Sequence, residues 1–100
     1  RLRTYTPDFV LPNGIIIETK GRFTSADRVK HLLIQEQFPE LDIRFVFQNP
    51  NNKLNKRSQT TYGAWCEKHG FQYAKLWIPE EWIMEPPRPI PFDEERIYRR

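Results

Sequence analysis

Thr4-Tyr5-Thr6-Pro7-Asp8-Phe9-Val10-Leu11 and Ile15-Ile16-Ile17-Glu18-Thr19-Lys20, joined by Pro12-Asn13-Gly14, decide the fold. Both flanks are rich in β-branched and aromatic residues, and the link holds turn formers, so the stretch reads as a β-hairpin. Pro7 has no amide hydrogen, which places it on an edge or starts the strand at Asp8. A two-residue Asn13-Gly14 loop would pair Pro12 with Ile15 and set Phe9 opposite Glu18. A three-residue loop suits the residues better, because Gly14 then takes the left-handed position after a turn begun by Pro12 and Asn13. That register pairs Leu11 with Ile15, Phe9 with Ile17 and Asp8 with Glu18.

Side chains alternate along a strand. Phe9, Leu11, Ile15 and Ile17 are therefore expected on the core face, and Asp8, Glu18 and Lys20 on the other. Opposed residues have Cβ atoms about 4.5–5.5 Å apart, so the two carboxylates repel unless something positive lies between them. Two readings stand at this point. Such a trio is often just a solvated charged face. Alternatively, Asp8 and Glu18 hold a divalent cation, which typically takes one or two carboxylates plus waters and phosphate oxygens, and Lys20 acts on an attacking water or on phosphate charge. Val10 and Ile16 share the acidic face, which implies partial burial and favours the cation, because buried unpaired carboxylates are costly.

Outward from the hairpin, Gly21 breaks the pattern, and Thr24-Ser25-Ala26-Asp27 resembles a capping box that opens a helix running to about Phe38. Val29, Leu32 and Leu33 begin an apolar stripe that Glu36 interrupts, and Pro39 stops the helix. In residues 42–48, Ile43, Phe45 and Phe47 alternate with Arg44, Val46 and Gln48, a third strand expected to lie parallel to its neighbour. Residues 49–58 form a polar, basic loop. A second helix is predicted over residues 61–69, ended by Gly70, then a strand over 71–77 and one helical turn at Pro79 to Ile83. The fold class is α/β, a small mixed sheet flanked by helices, in one domain over residues 1–100. Residues 86–100 read as an extended Pro-rich basic tail.

Composition bounds the function. With 38% hydrophobic and 29% charged residues, the 100-residue chain suits one globular core rather than disorder. Apolar runs are too short to span a bilayer, so no membrane partner is expected. No signal-peptide pattern appears. Cys66 is the only cysteine, which excludes an intrachain disulfide or a cysteine-rich zinc site and reads as a core residue in a reducing compartment. A net charge of +3 is weak evidence for a nucleic-acid partner. The chain opens on Arg1 without Met, as if already inside a strand, and an N-terminal segment is expected to precede it.

Pro7-Asp8, a gap of nine residues, then Glu18-Thr19-Lys20 resembles the PD-(D/E)xK pattern of restriction-endonuclease-like nucleases. Beyond that pattern, YTPDFVLPNGIIIETKG, DRVKHLLIQEQFPELDIRFVF, KLNKRSQTTYGAWCEKHG and IPEEWI resemble the phage endonuclease I family over about residues 4–92. The resemblance implies a restriction-endonuclease-like core and a homodimer acting on branched DNA, the four-way (Holliday) junction. Its expected reaction is metal-dependent hydrolysis leaving a 5′-phosphate. Asp8 and Glu18 match the family's metal-binding carboxylates and Lys20 its active-site lysine, with Mg²⁺ as the ion, Mn²⁺ as a substitute and no organic cofactor. The implied location is the cytoplasm of the host cell, if the chain is phage-encoded. The family also carries a further glutamate on an N-terminal helix and exchanges that segment between subunits. Neither feature lies in these residues, and Asp27, Glu36 and Glu40 do not match that glutamate.

For DNA contacts, Lys53, Lys56 and Arg57 are the loop candidates, with Asn51, Asn52 and Asn55 as neutral donors. Arg28, Lys30 and His31 follow the active-site strand on the first helix, where His31 is also placed to pair with Asp27 four residues earlier. Each set also reads as ordinary solvated charge. Arg96, Arg99 and Arg100 are read as a basic arm. Trp65, Trp77, Trp82, Tyr62 and Tyr73 are assigned to the core rather than to base stacking. Two alternatives to a junction-resolving enzyme remain: a nuclease of the same fold with another DNA target, and a DNA-binding fragment that does not cut.

Overall fold

The computed structural model describes residues 5–89, and the backbone of residues 92–93 and 96–97. The hairpin forms with the three-residue loop. Strands β1 (Phe9–Val10) and β2 (Ile16–Lys20) pair antiparallel, with Phe9 opposite Ile17 and Val10 opposite Ile16. The Leu11 amide donates to the Ile15 carbonyl at 2.8 Å, and Gly14 sits at φ 93°, a conformation open to glycine and strained for most other residues.

Helix α1 (Ser25–Gln37) begins with the reciprocal cap expected of Thr24 and Asp27, each side chain accepting the other's amide at 3.1 and 3.0 Å. It leads to β3 (Ile43–Phe47), parallel to β2. Helix α2 (Tyr62–His69) is capped by the Thr61 hydroxyl and stopped by Gly70 in the left-handed region. It returns the chain to β4 (Gln72–Lys75), parallel to β3. The sheet order is β1-β2-β3-β4, and the single turn α3 (Glu80–Ile83) follows it. The backbone at β5 (Phe92–Asp93) and β6 (Arg96–Ile97) pairs antiparallel, while the rest of the expected basic tail, with the side chains of Arg96, Arg99 and Arg100, lies outside the described residues.

Packing departs from the sequence reading in several respects. The larger core lies on the face that carries Glu18. There Ile16, Ile43, Phe45 and Phe47 meet Ile34 of α1 and Tyr62, Trp65 and Cys66 of α2. The Phe23 ring fills the centre, 5.1 Å from Phe45 and 5.0 Å from Trp65. Truncating so well packed a ring costs about 3–5 kcal/mol. Ile15 and Ile17 are buried too, but in a smaller cluster with Val46 and Trp82. Phe9, expected in the core, is 54% exposed, and Leu11 is half-buried. The reason is positional: β1 has only two residues at the sheet edge, whereas β2 and β3 are covered on both faces. The buried side of α1 is also turned by about one residue. It is set by His31 and Ile34, continued by Phe38, while Val29 is exposed and Leu32 and Leu33 are half-buried.

The smaller face carries an ion cluster that ties β3 to the segment after α3. Buried Arg44 donates to both oxygens of Asp42 at 2.9 and 2.8 Å and to both of Glu85 at 2.7 and 2.9 Å, and lies 5.2 Å over the Trp82 ring. Arg88 bridges the same two carboxylates. At the turn, the buried Asn13 amide donates to the Trp82 and Glu85 carbonyls at 2.8 and 3.1 Å, and its oxygen accepts from Ile15. Asn13 thus satisfies carbonyls that the short helix leaves open.

Candidate active site

Asp8 and Glu18 meet where the edge of the hairpin enters the sheet. Asp8 precedes β1 in a bend and is exposed, whereas Glu18 is 3% exposed. The Asp8 amide donates to Glu18 Oε2 at 3.3 Å, and the Thr19 amide donates to Asp8 Oδ2 at 3.0 Å. The backbone of each strand therefore holds the other strand's carboxylate, which the three-residue turn makes possible. Lys20 follows on the same face, with Nζ 3.5 Å from Asp27 Oδ1.

Electrostatically the two acids differ. Burial pushes the Glu18 carboxyl above its usual range, and the Asp8 charge adds to this, while the Tyr5 hydroxyl and Asp8 amide that donate to it pull the other way. Asp27 is held low: burial pushes it up, but the Thr24 amide and the Lys20 charge outweigh that. Lys20 thus pairs with Asp27, while Glu18 sits in a dry place that disfavours its charge. The donors are all oxygen, which suits a hard divalent cation. Asp8 and Glu18 are two acids, and no group of three or more His, Cys, Asp or Glu side chains placed to hold a metal occurs among the described residues. Two carboxylates fit Mg²⁺, which keeps waters and phosphate oxygens for the remaining positions.

Two side chains at Glu18 were not anticipated. The buried Tyr5 hydroxyl donates to Glu18 Oε2. His31, expected on the DNA-facing side of α1 or paired with Asp27, is instead 0% exposed, with Nε2 3.8 Å from Glu18 Oε1. A side chain so enclosed does not reach a DNA backbone. The clue was in α1: a buried face centred on Ile34 carries His31 inward, whereas a stripe begun at Val29 does not.

The remaining candidates are spread out. Lys30, Lys53, Lys56 and Arg57 are exposed, and Lys53 is bridged to Thr61 at the base of its loop. Arg28 is half-buried and donates to the Phe23 carbonyl at 2.7 Å. An open cleft of about 290 Å³, lined by Thr19, Lys20, Gly21, Gln48 and Leu76 among others, lies at the ends of the parallel strands. Trp65, Trp82 and Tyr62 are buried as expected and Tyr73 is half-buried, but Trp77 is 79% exposed beside Leu76, whose φ of 67° turns the chain outward. Cys66 is buried and its thiol is pushed up to about 12 by burial, which makes it an inert core residue.

The mixed α/β core thus brings Asp8, Glu18 and Lys20 to one side of the sheet, and comparison with known proteins gives the family. The profile of the phage endonuclease I family matches residues 1–99. The chain is 62% identical over 90 residues to "Endonuclease I" of Escherichia phage T7, covering 90% of this chain and 60% of that protein. It is 60% identical over 90 residues to "Endodeoxyribonuclease 1" of Enterobacteria phage T3, covering 90% of this chain and 59% of the relative. The chain belongs to the phage endonuclease I family. It spans about 60% of the length of these curated relatives.

Proposed function

We propose that this chain is the catalytic part of a divalent-metal-dependent DNA endonuclease acting on four-way or other branched junctions as a homodimer. The observation that carries the reading is the buried Glu18 carboxylate set against Asp8, with Lys20 beside it. Names of the two phage relatives support a deoxyribonuclease. Asp8 and Glu18 are the residues that would hold Mg²⁺ or Mn²⁺. When bound, such an ion supplies an activated water and neutralises charge on the scissile phosphate. Asp8 is exposed and tied through Oδ2 to the Thr19 amide. Glu18 holds its position from the dry side. Lys20 would orient or deprotonate the attacking water, or stabilise charge developing on the phosphate. The exposed Lys30, Lys53, Lys56 and Arg57, with the half-buried Arg28, are proposed to meet DNA phosphates, which position the duplex without reading its sequence.

The test compares an immobile four-way junction with its linear duplex arms, in Mg²⁺ and in EDTA. The proteins are this chain, a form extended to the relatives' length, and the extended form with Glu18→Ala. Magnesium-dependent cutting of the junction alone, lost in the variant while binding persists, is the expected result. Equal cutting of linear duplex would make it a nuclease of the same fold with another target. Junction binding without cutting in the extended form would make it a binding module.

A further inference from the structure

We infer that Tyr5 and His31 are positioning residues that set the Glu18 carboxylate from two sides, Tyr5 at Oε2 and His31 at Oε1. This rests on the reading of Glu18 as a cation ligand. Tyr5 is 2% exposed, and its hydroxyl donates to Oε2, the oxygen that also accepts the Asp8 amide. That leaves Oε1, and the polar group facing it is His31 Nε2 at 3.8 Å. The imidazole is held edge-on against Phe45, 4.9 Å between centroids, and against Tyr5 at 6.1 Å.

His31 is costly where it stands. Both ring nitrogens are buried without a hydrogen-bond partner among the described residues. A buried donor or acceptor left unmade costs about 1–3 kcal/mol, and an apolar residue of similar size would avoid that. The core around it is otherwise aromatic and aliphatic. A polar ring in that setting, with Nε2 nearest a carboxylate oxygen, is explained by a task at that carboxylate. A closure of under ~1 Å brings Nε2–H into hydrogen-bond range of Oε1. A neutral imidazole carries one N–H donor, which here can face Oε1. A neutral donor orients the carboxylate without cancelling the charge a cation needs. Tyr5, through its phenol O–H, is likewise a neutral donor. Ligand carboxylates are commonly held this way by outer partners, whose loss costs 10–100-fold in metal affinity or activity.

The test is a Mn²⁺ titration of the full chain followed by electron paramagnetic resonance of the free ion, with urea unfolding of each protein. The variants are Glu18→Gln, Tyr5→Phe, His31→Leu and His31→Gln. Tyr5→Phe and His31→Leu are expected to weaken Mn²⁺ binding about tenfold or more. The urea midpoint of His31→Leu is expected to equal or exceed the parent's. His31→Gln, which can keep an amide donor near the place of Nε2, is expected to stay within about threefold of the parent. If His31→Leu fails to fold, Tyr5→Phe, which removes one oxygen, carries the test. Glu18-dependent binding that Tyr5→Phe and His31→Leu leave unchanged overturns this inference alone. A parent chain with no Glu18-dependent Mn²⁺ binding overturns the cation reading and this inference with it.

Discussion

Glu18 and Arg44 are buried charges on neighbouring strands and opposite faces of the sheet, and they are treated in opposite ways. Arg44 is matched in full: two carboxylates each accept two of its hydrogen bonds, and Trp82 lies under its guanidinium. Glu18 receives two neutral donors, an imidazole just beyond bonding distance, and a lysine shared with Asp27. Under the proposed function, the difference separates a charge that serves the fold from one that serves chemistry. A structural ion completes its own surroundings, because a buried charge left unmatched is costly. A site that has to accept a cation and a phosphate keeps unmatched negative charge.

The comparison is most readily broken on the Arg44 side. Arg44→Ala is expected to destabilise the chain by about 3 kcal/mol in urea unfolding, because it breaks a buried ion pair and leaves Arg88 alone to bridge the two carboxylates. A loss under about 1 kcal/mol would put the cluster among weak surface ion pairs. Glu18→Gln is expected to do the reverse. Magnesium-dependent cleavage by the extended form should fall more than about a hundredfold, beyond the usual cost of losing an outer-shell partner. Stability should hold or rise, because burial opposes the charge that the amide removes.

Asn13→Ala sharpens the comparison at the turn that joins the two regions. It removes the amide that caps the Trp82 and Glu85 carbonyls. Thermal unfolding should report a loss of about 1–2 kcal/mol, with cleavage reduced only in proportion to the folded fraction. The smallest effect is one of pH. Glu85 is held down to about 2, chiefly by its hydrogen bonds from Arg44 and then from Arg88. Its folded pKa lies below its unfolded one, so its contribution to stability is complete above about pH 4.5 and is lost as pH falls through about 2. Urea midpoints of the parent should therefore fall more steeply over that window than those of Glu85→Gln. Equal slopes would remove Glu85 from the account.

The hairpin, its register and the order of strands and helices were legible because each has a local cause: Gly14 in the turn, Thr24 with Asp27 at the helix start, Gly70 at a helix end. The meeting of Asp8 with Glu18 follows from that register alone. What local pattern did not reveal depends on which face is covered by what. Phe9 looks like a core residue until its strand proves to be a two-residue edge. His31 looks like a surface helix residue until α1 is rotated by its packing onto Phe45. Tyr5 gains its role only because the chain before Pro7 runs beneath Glu18, and the Arg44 cluster joins residues 41 positions apart.

The most direct test of the contrast between the two buried charges is urea unfolding of the parent chain and of Glu18→Gln, each with and without Mg²⁺. An ion that binds only the folded state stabilises it by mass action, about 2.7 kcal/mol at a hundred times its dissociation constant. The account predicts that Mg²⁺ raises the parent's midpoint and leaves that of Glu18→Gln where it was. A parent indifferent to Mg²⁺, or a variant that gains as much, would contradict it.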